Sequence, residues 1–220
     1  MRLTSIPPLL LLSISLFSPI AMAIEEPSYQ VLASEGPFEI RRYAPMLVAE
    51  TWMDGDMDEA SNKGFRLIAS FIFGHNQRPE SDQTSKIAMT APVTIEPQSS
   101  PIATSAPMTL EPQAGAGGLE AVKRWRIHFV MPSAYTMASI PKPRNDAIQL
   151  REISAKTFVV HQYSWLNTHH RVQQKMQDTL QWAQHKSLQV IGTPQLARYD
   201  PPWTLPMFKR NEIMVEVAAP

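Results

Sequence analysis

Hydrophobic and polar positions along the chain fall into stretches of two different periods. Residues 38–43 (FEIRRY) alternate, as a half-buried strand does, and the extended pattern continues over 46–51 beyond Pro45. From Met57 the period lengthens. Ala60, Gly64, Phe65, Ile68, Phe71 and Ile72 recur at helical spacing with polar residues between them. That spacing predicts a helix over about 57–73, capped by Asp56 or Asp58 and closed by Gly74. A polar, turn-rich loop is expected over 75–85. Residues 86–95 predict an edge or bulged strand, because Pro92 has no N–H to give to a ladder.

Residues 125–131 (WRIHFVM) alternate again, with Trp125, Ile127, Phe129 and Met131 toward the core and His128 on the polar side. An extended stretch over 148–163 follows a Pro-punctuated connection. A second helix is predicted over 167–186, with Val172, Met176, Leu180 and Ala183 on one stripe and a solvated Gln/Lys face opposite. Residues 195–199 and 212–217 close the chain as strands.

Two internal repeats organise these elements. The segment 87–98 (IAMTAPVTIEPQ) is nearly repeated by 102–113 (IATSAPMTLEPQ), 15 residues later. Two readings stand side by side: a tandem slippage forming an exposed loop, or two short strands paired as a hairpin beside a groove. A weaker repeat aligns 39–50 (EIRRYAPMLVAE) with 149–160 (QLREISAKTFVV), 110 residues apart. Each copy is followed by a helix and two strands. The predicted fold class is therefore α+β: a distorted β-barrel of two pseudo-repeated strand–helix–strand–strand units, with both long helices packed outside. Junctions of this kind commonly form ligand grooves.

The N-terminus changes the picture of where such a domain works. Arg2 precedes an apolar run through Leu9, Leu10, Leu11, Leu12, Ile14, Leu16 and Phe17, which ends at Ala21-Met22-Ala23. This predicts a signal peptide over 1–23 and a single domain over 24–220, exported and, in a bacterium with two membranes, periplasmic. The run is short of the ~20 residues a spanning helix needs, and no later segment is apolar enough to span, so the mature chain is expected to have no transmembrane segment. The chain has no Cys, which excludes disulfides, thiolate metal sites and cysteine nucleophiles. Lys plus Arg equal Asp plus Glu at 20 each. With no basic field, nucleic acid is not an expected partner.

Several stretches together resemble the SOUL haem-binding proteins: 38–45 (FEIRRYAP), 64–76 with its Gly-Phe and Gly-His-Asn ends, 86–93 (KIAMTAPV), 129–135 (FVMPSAY), 198–206 (RYDPPWTLP) and Arg210-Asn211-Glu212-Ile213. They occur in the family's order and cover nearly the whole chain after the leader. The doubled Thr-Ala-Pro segment resembles what bacterial members carry and favours the hairpin reading. The resemblance implies a shallow apolar groove that takes haem or free porphyrin non-covalently. Where SOUL members are proposed to use an axial histidine, it precedes the tyrosine of the first strand; here that position is Arg42. Arg42 then becomes a propionate partner or a surface ion-pair member.

Haem binding needs an apolar slot, cations for the propionates and, optionally, an axial ligand. The candidates are Phe65, Ile68 and Ile72 as an apolar helix face, Met89 and Met131 as groove lining, Trp203 for stacking, and Lys209 and Arg210 with Arg42 for propionates. Each has an ordinary structural reading as core, turn brace or exposed cation. His128 and His161 are expected as surface or partly buried strand residues rather than ligands. His169 and His170 point about 100° apart on a helix, so the metal ligand, if any, stays unassigned. No nucleophile elbow, P-loop or dinucleotide motif is present. The expected function is tetrapyrrole binding for carriage, buffering or scavenging. An exported effector-binding or protein-interaction module comes second, and a haem-modifying enzyme third.

Overall fold

A computed structural model of the protein describes residues 24–98 and 118–219. The strands are β1 (Tyr29–Glu35), β2 (Phe38–Tyr43), β3 (Met46–Asp54), β4 (Asn76–Gln77), β5 (Val93–Pro97), β6 (Arg124–Val130), β7 (Lys142–Pro143), β8 (Gln149–Ile153), β9 (Lys156–Tyr163), β10 (Gln195–Arg198) and β11 (Asn211–Val217). The helices are α1 (Met57–Ile72), between β3 and β4, and α2 (His169–His185), between β9 and β10. Nine strands form one antiparallel sheet in the order β1-β2-β9-β11-β10-β5-β6-β3-β8, while β4 and β7 pair separately. The fold is α+β, a curled half-barrel with two helices.

The helices form where the period of the sequence changed, and local chemistry fixes their ends. Asp56 caps α1 by accepting from the Glu59 N–H at 2.8 Å, and Thr168 caps α2 by accepting from the Arg171 N–H at 3.3 Å. Gly74, at φ 122°, supplies the left-handed turn after α1. One face of the sheet is apolar and packs under both helices. Trp125, Ile127, Phe129, Val159, Ile213 and Val215 join Ala60, Ile68, Phe71 and Ile72 of α1, with Val172, Met176 and Ala183 of α2, in one core. Gly64 lets α1 approach the sheet, since a Cβ there would stand 2.9 Å from the Ile127 side chain.

The extended stretch expected over 148–163 is two strands that do not pair with each other. β8 pairs with β3, and β9 with β2 and β11, so the chain crosses the curl between them. The strand expected over 86–95 is ladder-paired only over β5, with Thr90 in a parallel bridge to Glu25. β1 had no counterpart in the sequence expectations. It is an edge strand exposed at every position, so no buried face marks it in the sequence. The second copy of the 15-residue repeat, and with it the hairpin reading, lies outside the described residues.

Candidate ligand-binding site

The face of the sheet away from the helices carries the other half of each alternation. Side chains from eight strands, β2 to β8 in sheet order, line a single cleft there, so this face is the concave one. Its floor is charged, and the charges are matched between strands. Arg151 of β8 donates from Nε and Nη2 to the two oxygens of Glu50 of β3 at 3.0 and 2.7 Å. Arg126 of β6 pairs with Glu96 of β5, and Lys156 of β9 with Glu216 of β11 at 2.5 Å. Met46, Val130, Phe158 and Met214 add apolar walls. The cleft, open on one side, has a volume of about 130 Å³.

Among these pairs sits His128, buried and facing the cleft. Its Nδ1 has no hydrogen-bond partner, and neither has Nε of Arg126. Burial, reinforced by Arg126, Arg151 and Lys156, pushes the imidazole down to about 3, so it is neutral at physiological pH. His128 is on the polar side of its strand, as alternation requires, but it is buried because that side is enclosed by the curl. His161 is buried as well, on the helix-facing side, packed against Phe38 with ring centroids 4.2 Å apart and the rings tilted by 41°. Both corrections have one cause: neither face of the central strands is solvent.

One end of the concave face is locked by a buried ion network. Glu212 is fully buried and accepts from Arg41 Nη1 at 3.0 and 3.1 Å, from the Tyr199 hydroxyl at 2.7 Å and from Arg210 Nε at 3.0 Å. Arg210 also reaches Glu26 at 3.0 Å, tying the N-terminal segment to the sheet. Asn211, between them and facing the other way, donates from Nδ2 to the Trp165 carbonyl at 2.9 Å and accepts from Asn167 at 2.7 Å. The Arg-Asn-Glu sequence is thus an alternating strand whose polar groups brace the loops on both sides.

Those loops, 164–168 and 199–210, form an apolar ledge. The Trp165 N–H donates to the Pro206 carbonyl at 2.9 Å and joins them. They expose Trp165, Leu166, Trp203, Leu205, Met207 and Phe208, with Trp203 at 84% and Phe208 at 71%. Large exposed apolar groups concentrated on one feature mark a binding surface. Lys209 stands beside them, its Nζ donating to the Pro202 carbonyl at 3.2 Å. Arg171 lies on the first turn of α2, its Nη1 donating to the Leu166 carbonyl at 3.4 Å.

The ledge includes Trp203 and Lys209 of the residues singled out in the sequence. Arg210 adjoins it but is committed to Glu212 and Glu26. Phe65 is half-exposed on α1, its ring 5.7 Å from that of Phe129. Ile68, Ile72 and Met131 are in the core, and Met131 also lines a second cavity of about 300 Å³ beside Glu25 and Tyr135. Met89 is exposed on the segment after α1, and Arg42 is exposed on β2 in register with Thr157. Sequence reasoning missed Trp165, Leu166, Leu205, Met207 and Phe208. Their signal was large apolar residues placed in loops, the second of them Pro-rich, where no core stripe needs them.

The model of the family described as SOUL heme-binding protein matches residues 24–216. The chain belongs to the SOUL haem-binding family. This is a binding family. Among solved structures the protein is similar to the C-terminal domain of EcmrR, with a TM-score of 0.55 at 12% identity over 87% of this chain and 99% of that one. In the EcmrR–DNA complex the match has a TM-score of 0.57 at 11% identity over 87% of this chain and 58% of that chain, so this protein spans little more than half of EcmrR there. A hydrolase from Listeria innocua matches with a TM-score of 0.52 at 11% identity over 85% of this chain and 94% of that chain. At these identities the likeness is one of fold. No curated protein sequence matches the chain. No described helix is long and apolar enough to cross a membrane. Among the described residues no group of three His, Asp or Glu side chains is placed to hold a metal ion.

Proposed function

We propose that this SOUL protein binds a tetrapyrrole, haem or metal-free porphyrin, non-covalently on the ledge formed by the 164–168 and 199–210 loops. The observation that carries the reading is the set of six large apolar side chains exposed on two hydrogen-bonded loops. A macrocycle is a flat apolar ligand, and indole and phenyl rings stack on such faces. Lys209 and Arg171 at the margin suit its propionates as charge-assisted donors. Cavity size favours the ledge as well. The concave cleft and the second cavity, about 130 and 300 Å³, lie below or at the low end of the ~300–1,000 Å³ of ordinary ligand pockets.

The fit is to the ring and its carboxylates rather than to iron. The family's axial position holds Arg42, and the ring and propionate contacts do not require the donors nearby, Met207 on the ledge and His169 and His170 just after the 164–168 loop. Those contacts are common to haem and free porphyrin, so both are expected to bind. The role is carriage, buffering or scavenging without turnover, in a domain exported by a leader over 1–23. An absorbance titration with ferric haem and with metal-free protoporphyrin tests the reading. Saturable one-to-one binding of both is expected. Weak, unsaturable binding of both sinks it and moves the protein to an effector-binding or interaction module, while chemical loss of bound haem on incubation would make it an enzyme.

A further inference from the structure

The concave cleft holds polar groups that the fold leaves unused. His128 is only 7% exposed, and among the described residues Nδ1 meets no partner. On the same strand and face, two residues away, Arg126 spends its Nη groups on Glu96 and Glu50, yet its Nε–H is buried and unpaired. A buried polar group without a partner has lost its hydration with nothing in return, and here two stand in one cleft. Arg126 Nε is an obligate donor, and His128 Nδ1 donates in the Nδ1–H tautomer. A carboxylate has two acceptor oxygens, one for each donor.

We propose that the concave cleft is a second binding site, for a small carboxylic acid with an apolar body, whose carboxylate accepts from His128 and Arg126. The charges of the cleft are balanced, Arg126 with Glu96, Arg151 with Glu50 and Lys156 with Glu216, so no unpaired carboxylate opposes an anion, while Arg126 keeps an unpaired Nε–H. The walls agree with its body: Met46, Val130, Phe158 and Met214 face the same space. The cleft, about 130 Å³ and open on one side, approaches the ~150 Å³ of an apolar cavity that accepts benzene, so a single ring can enter with its far edge in solvent. None of the six ledge residues lines this cleft, so the site is separate from the tetrapyrrole surface and does not depend on that reading.

Benzoate is the probe, with benzylamine as its cationic counterpart, titrated calorimetrically into the protein. Benzoate is expected to bind one-to-one, at least tenfold tighter than benzylamine. His128→Phe, which keeps a ring, and Arg126→Lys, which keeps the charge for Glu96, are each expected to weaken benzoate at least tenfold and leave haem binding unchanged. In the wild-type protein the ¹⁵N resonance of His128 Nδ1 is expected to move on adding benzoate, a reading that needs no variant to fold. No benzoate binding at millimolar concentration, equal binding of benzylamine, unchanged affinity in both variants, or a static His128 resonance would each overturn the assignment. Loss of haem binding with benzoate binding intact would count against the ledge alone.

Discussion

Replacing Glu212 by Gln removes one charge from the most completely buried ion network while keeping the side chain's shape. Glu212 is 0% exposed and Arg41 2%. The carboxylate accepts from Arg41, Tyr199 and Arg210. An amide offers one acceptor oxygen and turns two N–H donors toward groups that are themselves donors. Arg41 then keeps one carboxylate, Glu39, at 2.6 Å and partly exposed, beside the Tyr43 hydroxyl at 3.3 Å. Removing one partner of a buried pair costs ~3–5 kcal/mol because the remaining charge stays uncompensated. The surviving Glu39 contact places this variant at the lower end, about 3 kcal/mol. With a urea m-value of about 2 kcal/mol/M, the midpoint falls by roughly 1.5 M. Glu39→Gln is the control, and as a partly exposed partner it is expected to cost up to about 1 kcal/mol. Urea unfolding followed by tryptophan fluorescence reads both. A Glu212→Gln loss below about 1 kcal/mol, or a Glu39→Gln loss of equal size, would show that the network does not hold the sheet end together.

Gly64→Ala is expected to destabilise by about 1–2 kcal/mol despite Ala's better helix propensity. The new methyl meets Ile127 Cβ at 2.9 Å, an atom fixed to the strand, and a gain in unfolding midpoint would contradict the close approach of α1. Acid should weaken the fold through His161, which burial and then Lys175 push down to about 4. The unfolded chain takes up the proton first, near pH 6.5, so the stability of the neutral imidazole is present above that pH and is lost toward pH 4. The loss is about 1 kcal/mol between pH 6.5 and 5.5. His161→Gln is expected to remove that part of the slope in urea midpoints, and an unchanged slope would mean that His161 protonates in place.

Much of the fold was legible because local period and tertiary burial agree. The α1 stripe of Ala60, Gly64, Ile68, Phe71 and Ile72 is the face that packs on β6, and Trp125, Ile127 and Phe129 alternate into the same core. What stayed hidden depends on closure of the sheet, which is not local. Alternation put His128 on the right face, but only the curl makes that face an interior. Val159, Val160 and His161 are all buried, so their sequence shows no period. Arg210 read as a free cation because its partners, Glu212 beyond the next residue and Glu26 on the N-terminal segment, are brought to it by folding. The ledge was half legible: Trp203 and Lys209 stood out, while Trp165 and Leu166 join them only through the hydrogen bond to Pro206.

What decides between the ledge and the concave cleft is where the tetrapyrrole sits. The most direct measurement is a haem titration of the wild-type protein beside a Trp203→Ala/Phe208→Ala double variant and His128→Phe. Both ledge side chains are largely exposed, so their loss should leave the unfolding midpoint nearly unchanged. Haem affinity is expected to fall at least tenfold, about 1.4 kcal/mol, in the double variant and to hold in His128→Phe. Full affinity in the double variant, with loss in His128→Phe, would contradict the account and place the tetrapyrrole in the concave cleft.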